Sequence, residues 1–121
     1  MIVVLAMLGA GVVGAVLRYL LVQLFPTGSR VPWAVLTVNV IGSAIAGFVY
    51  GQIVQAPLTD VALVIITGFC GGFTTFSSFT VEAIQLVLEG KAVRGVVSVV
   101  AHLFIGLGAA VIGFLAFILT R

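Results

Sequence analysis

The run Gly68-Phe69-Cys70-Gly71-Gly72-Phe73-Thr74-Thr75-Phe76-Ser77-Ser78-Phe79-Thr80 sits in the middle of an otherwise apolar segment, and the reading of the whole chain turns on it. Adjacent glycines followed by paired threonines and paired serines depress helix propensity. Glycine loses the most backbone entropy on ordering, and the hydroxyls compete for backbone hydrogen bonds. The run therefore predicts a break at membrane depth. Irregular backbone persists at that depth only where it is buried in protein or lines a wet or ion-filled cavity, so a break here points to an ion site.

The surrounding composition supports a membrane setting. Of 121 residues, 63% are hydrophobic and 7% charged, which is outside the range of soluble globular domains. A bilayer-spanning helix takes roughly 20 apolar residues, so this length holds about four with short loops. The expected helices cover about 2–24, 32–53, 60–88 (with the break near 71–75) and 94–119, in one integral membrane domain, 1–121. No Lys or Arg precedes the apolar run 1–17, so it reads as a retained helix and not as a signal peptide.

The net charge of +2 comes from few and scattered residues. That pattern fits anionic lipid at helix ends better than nucleic acid. Cys70, the single cysteine, has no partner for an intrachain disulfide and no metal-ligand companion. There is no phosphate loop, no Cys/His cluster and no set of nucleophile, base and orienter, so the chain reads as a non-enzyme.

In the first helix, Ala10, Gly11, Gly14 and Ala15 offer a surface for close helix approach. Position alone allows Arg18 either to snorkel to the headgroups or to face a polar cavity. The first loop, 25–32, is marked by two prolines and a glycine, and Trp33 after it suits the interfacial belt. Asn39 interrupts the second helix, where an amide in hydrocarbon needs partners. It serves either as interhelical glue or as a pore or vestibule contact. The third segment is longer than one span requires, as two half-helices would be, and Glu82 lies beyond its centre. In the fourth helix, Ser98 and His102 are four residues apart on one face. His102 is either packed and hydrogen-bonded or pore-lining.

Carbonyls released by a break are ligands for a dehydrated monovalent cation, with Gly71, Gly72 and Thr74 the obvious donors. Phe73, Phe76 and Phe79 recur every three residues, a stripe that serves either core packing or the meeting of ring edges with an anion. Thr75, Ser77, Ser78 and Thr80 supply hydroxyls to the same anion. One four-helix chain is thin for an aqueous path. Two copies, one inverted, can reproduce the inverted repeat of larger transporters.

These residues resemble a known family, the Fluc-type bacterial fluoride channels. The run 68–79 is similar to that family's third-helix signature, Gly11, Gly14-Ala15 and Arg18-Tyr19 to its first-helix motif, and Asn39 with Gly42-Ser43 to its second. The likeness covers the whole chain in length, helix count and motif order. It implies an all-α membrane protein of four transmembrane helices with a broken third helix, assembled as an antiparallel dual-topology dimer. The dimer would be multi-pass in the cell inner (plasma) membrane, with two fluoride pores and one central structural sodium ion.

Carried over by position, Gly71 and Thr74 would offer backbone carbonyls to sodium. Phe76 and Phe79 would meet fluoride with their ring edges. Asn39, Thr75, Ser77, Ser78 and His102 would complete the fluoride pore, with Arg18 and Glu82 in the vestibule. The expected partners are a second inverted copy or an oppositely oriented paralogue, fluoride and membrane lipid, without nucleic acid. The implied role is passive fluoride export that lowers cytoplasmic toxicity.

The chain departs from the family pattern in two places. Ala34-Val35 stand where a Gly-Thr pair is usual, and Gly106 and Ala110 occupy fourth-helix positions that often carry hydroxyls. Two other readings are a dual-topology small multidrug exporter and an accessory subunit of a heteromeric channel. The exporter would require an acidic residue in the first helix, which has none.

Overall fold

The computed structural model of the chain describes residues 1–25 and 33–120. The remainder of the first loop, with Arg30, and the terminal Arg121 lie outside the described residues. The regular structure is helical throughout: α1 (Ile2–Gln23), α2 (Trp33–Gln55), α3 (Asp60–Leu63), a π segment (Val64–Cys70), α4 (Gly71–Phe73), α5 (Phe76–Leu88) and α6 (Ala92–Leu119). Among the described residues, four stretches are long and apolar enough to cross a membrane: α1, α2, the run Asp60–Leu88 from α3 to α5, and α6. The chain is thus a multi-pass membrane protein of all-α class.

The third span is assembled from separately capped pieces. Thr59 Oγ1 accepts from the Ala62 amide at 3.2 Å and opens α3. At the end of α4, the amide and the hydroxyl of Thr74 both donate to the Cys70 carbonyl, at 2.9 and 2.8 Å. Thr74 (φ −81, ψ 160) and Thr75 (φ −147, ψ 124) are extended. Thr75 Oγ1 then accepts from the Ser78 amide at 3.2 Å and caps α5. At the other end of α5, Gly90 (φ 77) turns the chain. The Lys91 amide reaches the Leu86 carbonyl at 2.8 Å and the Gly90 amide reaches Val87 at 3.0 Å, the double bond of a Schellman stop.

The extended backbone is confined to Thr74 and Thr75 and does not cover 71–75, because Gly71 and Gly72 remain helical. Packing accounts for the glycine at 72. A Cβ there would run into the Gly11 carbonyl of α1, so the residue serves close approach of two backbones and not local irregularity. The π segment ahead of it carries no signal in the sequence.

Small residues set both helix seams. Along α1, Gly14 lies against the Phe69 carbonyl and the Phe73 amide, and Gly68 meets the Met7 backbone in return. Between α2 and α6, Gly47 lies on the Ala110 carbonyl, Gly113 on the Ala44 carbonyl and Gly51 on the Phe117 ring. In lipid, where apolar contact gives helices no net preference for one another, such backbone approach is the main source of association. Phe48 meets Phe117 edge to face at 5.3 Å across the α2–α6 seam. Gly14 is the one buried residue of α1, and most of the large apolar side chains of this helix are exposed.

A methyl group at Gly47 has no room without parting the α2–α6 seam, whereas one at Gly9 meets nothing within 4 Å. Gly47→Ala is therefore expected to lower stability by about 1–3 kcal/mol, the usual cost of overpacking, with Gly9→Ala near neutral. Thermal melts in detergent, followed by size-exclusion recovery, measure the difference. An equal loss in both variants would contradict this assignment of the seam.

Candidate functional site

Asn39 on α2 reaches across to the extended pair in the third span. Its Nδ2 donates to the Thr75 carbonyl at 3.0 Å, and its Oδ1 accepts from the Thr75 amide at 2.8 Å. The side-chain amide thereby replaces the helical partners that this residue would have had. In a continuous helix the Thr75 amide would serve the Gly71 carbonyl, and giving it to Asn39 leaves that carbonyl without its usual donor. A second Nδ2 hydrogen of Asn39 is left over from this exchange.

Around this joint lies an open groove of about 930 Å³, walled by α2, α5 and α6. Its lining includes Asn39, Ser43, Thr74, Thr75, Phe76, Phe79, Thr80 and His102, with Gly106 and Ala110 farther along α6. Phe76 meets Phe79 edge to face at 4.8 Å and 89°. Phe79 in turn lies flat on the His102 imidazole at 4.8 Å and 18°. Phe76 is 76% exposed, so a large aromatic surface stands open at the groove.

Phe73 does not continue the aromatic stripe. It is buried, stacks on Phe69 at 5.3 Å and turns its ring edge toward Gly42 of α2, while its backbone amide lies against Gly14 of α1. The three-residue spacing fails because it presumes helix throughout, and the extended Thr74 and Thr75 separate Phe73 from the face that carries Phe76 and Phe79.

The remaining expected residues divide around the groove. Ser77 and Ser78 turn their hydroxyls to Thr75 Oγ1, at 3.3 and 3.0 Å. The Thr80 hydroxyl is spent on the Phe76 carbonyl at 2.8 Å. Gly71 is exposed, and a Cβ there would meet only the Ile66 carbonyl, at 4.0 Å. Arg18 approaches the Thr74 carbonyl with Nη1 at 3.5 Å, the outer limit of a hydrogen bond, and is placed at the joint. Glu82 is half-buried on α5, and its Oε2 lacks a partner.

Ser43 joins the lining although the sequence reading gave it no pore role. Its signal was its spacing, four residues after Asn39 and hence on the same helix face. Among the described residues no group of three or more His, Cys, Asp or Glu is placed to hold a metal.

A family model described as CrcB-like protein, Camphor Resistance (CrcB), matches residues 4–114. Among curated relatives, the chain is 39% identical over 108 residues to a fluoride-specific ion channel FluC of Rhizobium johnstonii, covering 85% of this chain and 86% of the relative. It is 36% identical over 107 residues to the protein of the same name from Methanococcus maripaludis, covering 88% of each. To a fluoride-specific ion channel FluC 1 of Ligilactobacillus salivarius it is 37% identical over 107 residues, covering 88% of this chain and 90% of the relative.

Removing the Asn39 amide strands the Thr75 amide and carbonyl in a low-dielectric setting, at a cost of about 1–3 kcal/mol for each buried group left unpaired. Asn39→Ala should therefore speed hydrogen exchange at residues 74–78 while leaving the α2–α6 seam protected. Asn39→Asp, which keeps an acceptor for the Thr75 amide, should fall between. Exchange mass spectrometry in micelles reads both, and unchanged protection in Asn39→Ala would contradict the role given to the amide.

Proposed function

The chain belongs to the CrcB family, a family of ion channels and not of enzymes, and on that premise we propose that it conducts fluoride passively across the cell inner (plasma) membrane, lowering cytoplasmic fluoride. One observation carries the reading. The edge-to-face pair of Phe76 and Phe79 stands in the same groove as the remaining Asn39 N–H and the extended Thr74-Thr75 backbone.

Fluoride is small and strongly hydrated, so a path for it must replace water in stages with donors that do not trap it. Ring rims carry partial positive charge, and the second Nδ2 hydrogen of Asn39 is a stronger but neutral donor. The Ser77 and Ser78 hydroxyls, gathered on Thr75, can turn from that oxygen to a passing anion. Arg18 and Glu82 flank the path and set its field without lying in the groove lining.

The Gly71 and Thr74 carbonyls fit a structural sodium ion. One has lost its helical donor and the other has only the long Arg18 contact, so both are main-chain oxygens available to a hard monovalent cation. Bound there, the ion would neutralise the carbonyl dipoles at the joint. Gly71 is exposed, so the reading includes a second, inverted copy that supplies a matching pair of carbonyls. The exposed apolar surface of α1 is available to that copy and to lipid.

A second reading has a specific observation in its favour. Gly106 and Ala110 line the groove and bring no hydroxyl to it. An oppositely oriented paralogue with hydroxyls at those places would complete the path, and the chain alone would then conduct poorly. A small multidrug exporter is the weaker alternative, since α1 carries no acidic side chain for proton exchange.

Proteoliposomes loaded with fluoride and followed with an ion-selective electrode test the principal reading. Rapid fluoride loss, negligible chloride loss, and strong inhibition by Phe76→Ile or Phe79→Ile are the expected results. Silence of the purified chain, relieved by a paralogue, would favour the heteromeric reading. Replacing sodium with a bulky organic cation should lower the melting temperature of the assembled dimer, and an unchanged melt would remove sodium from the proposal.

A further inference from the structure

His102 is the one histidine in the chain, and its hydrogen bonding determines what it can do. It is 9% exposed and lines the groove with its ring flat against Phe79. Its Nδ1 lies 2.8 Å from the Ser98 carbonyl. A carbonyl oxygen only accepts, so Nδ1 carries the hydrogen, and in the neutral ring Nε2 is left as a bare lone pair. That Nε2 is buried and has no partner, and neither does the Ser98 hydroxyl one turn away.

An orphaned acceptor in an apolar span is costly. It is also the wrong polarity for an anion path, since a lone pair repels fluoride. A second proton reverses that polarity: Nε2 becomes a charged N–H donor while the bond from Nδ1 to Ser98 stays in place. The rings of Phe79 and His102 are stacked nearly parallel with centroids 4.8 Å apart, so an anion that meets Phe79 also comes close to the imidazole.

From these observations we propose that His102 is a proton-dependent donor in the anion path, with no N–H to offer as a neutral ring and one, on Nε2, as imidazolium. The inference rests on the channel reading above and deepens it. Farther along α6, Gly106 and Ala110 offer no hydroxyl to take over the task, so the chain leans on this ring more than a hydroxyl-lined path would. The dependence has a chemical logic, because fluoride crosses membranes as its neutral acid and accumulates when the outside is acidic.

Few titratable groups belong to the helices that pack against α6, or to α6 itself. From α5 comes Glu82, the one ionisable side chain of that helix, with Oε2 unpartnered. From α2 come Asn39 and Ser43, neither of which titrates at these pH values, and Tyr50 lies two turns past Ser43. On α6 itself Arg94 lies two turns before His102.

Two measurements test the proposal. Fluoride efflux from proteoliposomes, corrected for acid leak through protein-free liposomes, should rise about tenfold from pH 8 to pH 6 in the wild-type chain, the gain from one charged hydrogen bond. It should be flat with pH in His102→Gln, whose amide donates at every pH. In ¹⁵N-histidine-labelled protein in lipid, the single imidazole should be protonated at Nδ1 at pH 8. Exchanging chloride for fluoride should then shift Nε2 at pH 6 and not at pH 8. Equal pH ratios in both proteins, or an Nε2 signal blind to fluoride at pH 6, would overturn the inference and leave the channel reading standing. Wild-type efflux no faster than protein-free liposomes at either pH would overturn the channel reading and this inference with it.

Discussion

Two hydrogen bonds between the Asn39 side chain and the backbone of Thr75, one donated by each, hold the third span in its unusual form. A residue with extended dihedrals in the middle of a membrane span exposes an amide and a carbonyl that helix would have satisfied, and hydrocarbon supplies no water to replace them. A primary amide has one donor and one acceptor side by side, which matches the two groups of a single extended residue. A hydroxyl would satisfy only part of that demand and a carboxylate would lack the donor. The polar residue that looks most out of place on α2 is thus the one that makes the interruption tolerable.

The interruption has consequences on both sides. On one side, the helical part of the span ends with two donors converging on Cys70, and Phe73 is buried there against Phe69. Toward α6, the new helix starts with Thr75 as its cap and turns Phe76 and Phe79 into the groove. One sequence run therefore serves two environments, a close-packed seam and an open groove, with the change of face made by Thr74 and Thr75. Both helix seams rest on glycine against carbonyl, so they hold the backbones close and leave little freedom to slide, and the groove wall inherits that rigidity.

The same geometry sorts the polar side chains. Thr80 spends its hydroxyl on its own helix, as exposed threonines in apolar helices often do. Ser77 and Ser78 instead converge on Thr75, which keeps three hydroxyls in one place. The buried polar atoms that remain without partners, on Glu82, Ser98 and His102, belong to α5 and α6, the helices that wall the groove beside α2. In a membrane interior such atoms are expected where an ion or water passes.

Much of this was legible in the chain before folding. Apolar runs of spanning length separated by turn residues determine an all-helical membrane protein, because only helices satisfy their backbone internally there. The glycine, hydroxyl and phenylalanine run carried the family likeness, and the cost of placing an amide in lipid singled out Asn39. Tertiary structure alone decided the rest: that Gly72 serves packing while Thr74 and Thr75 carry the extended backbone, that Phe73 parts from Phe76 and Phe79, and that Ser43 joins the lining. Local propensity marks a stretch as poor helix, but which peptide within it leaves the helix depends on where a partner from another helix arrives, and that partner, Asn39, is 36 residues away.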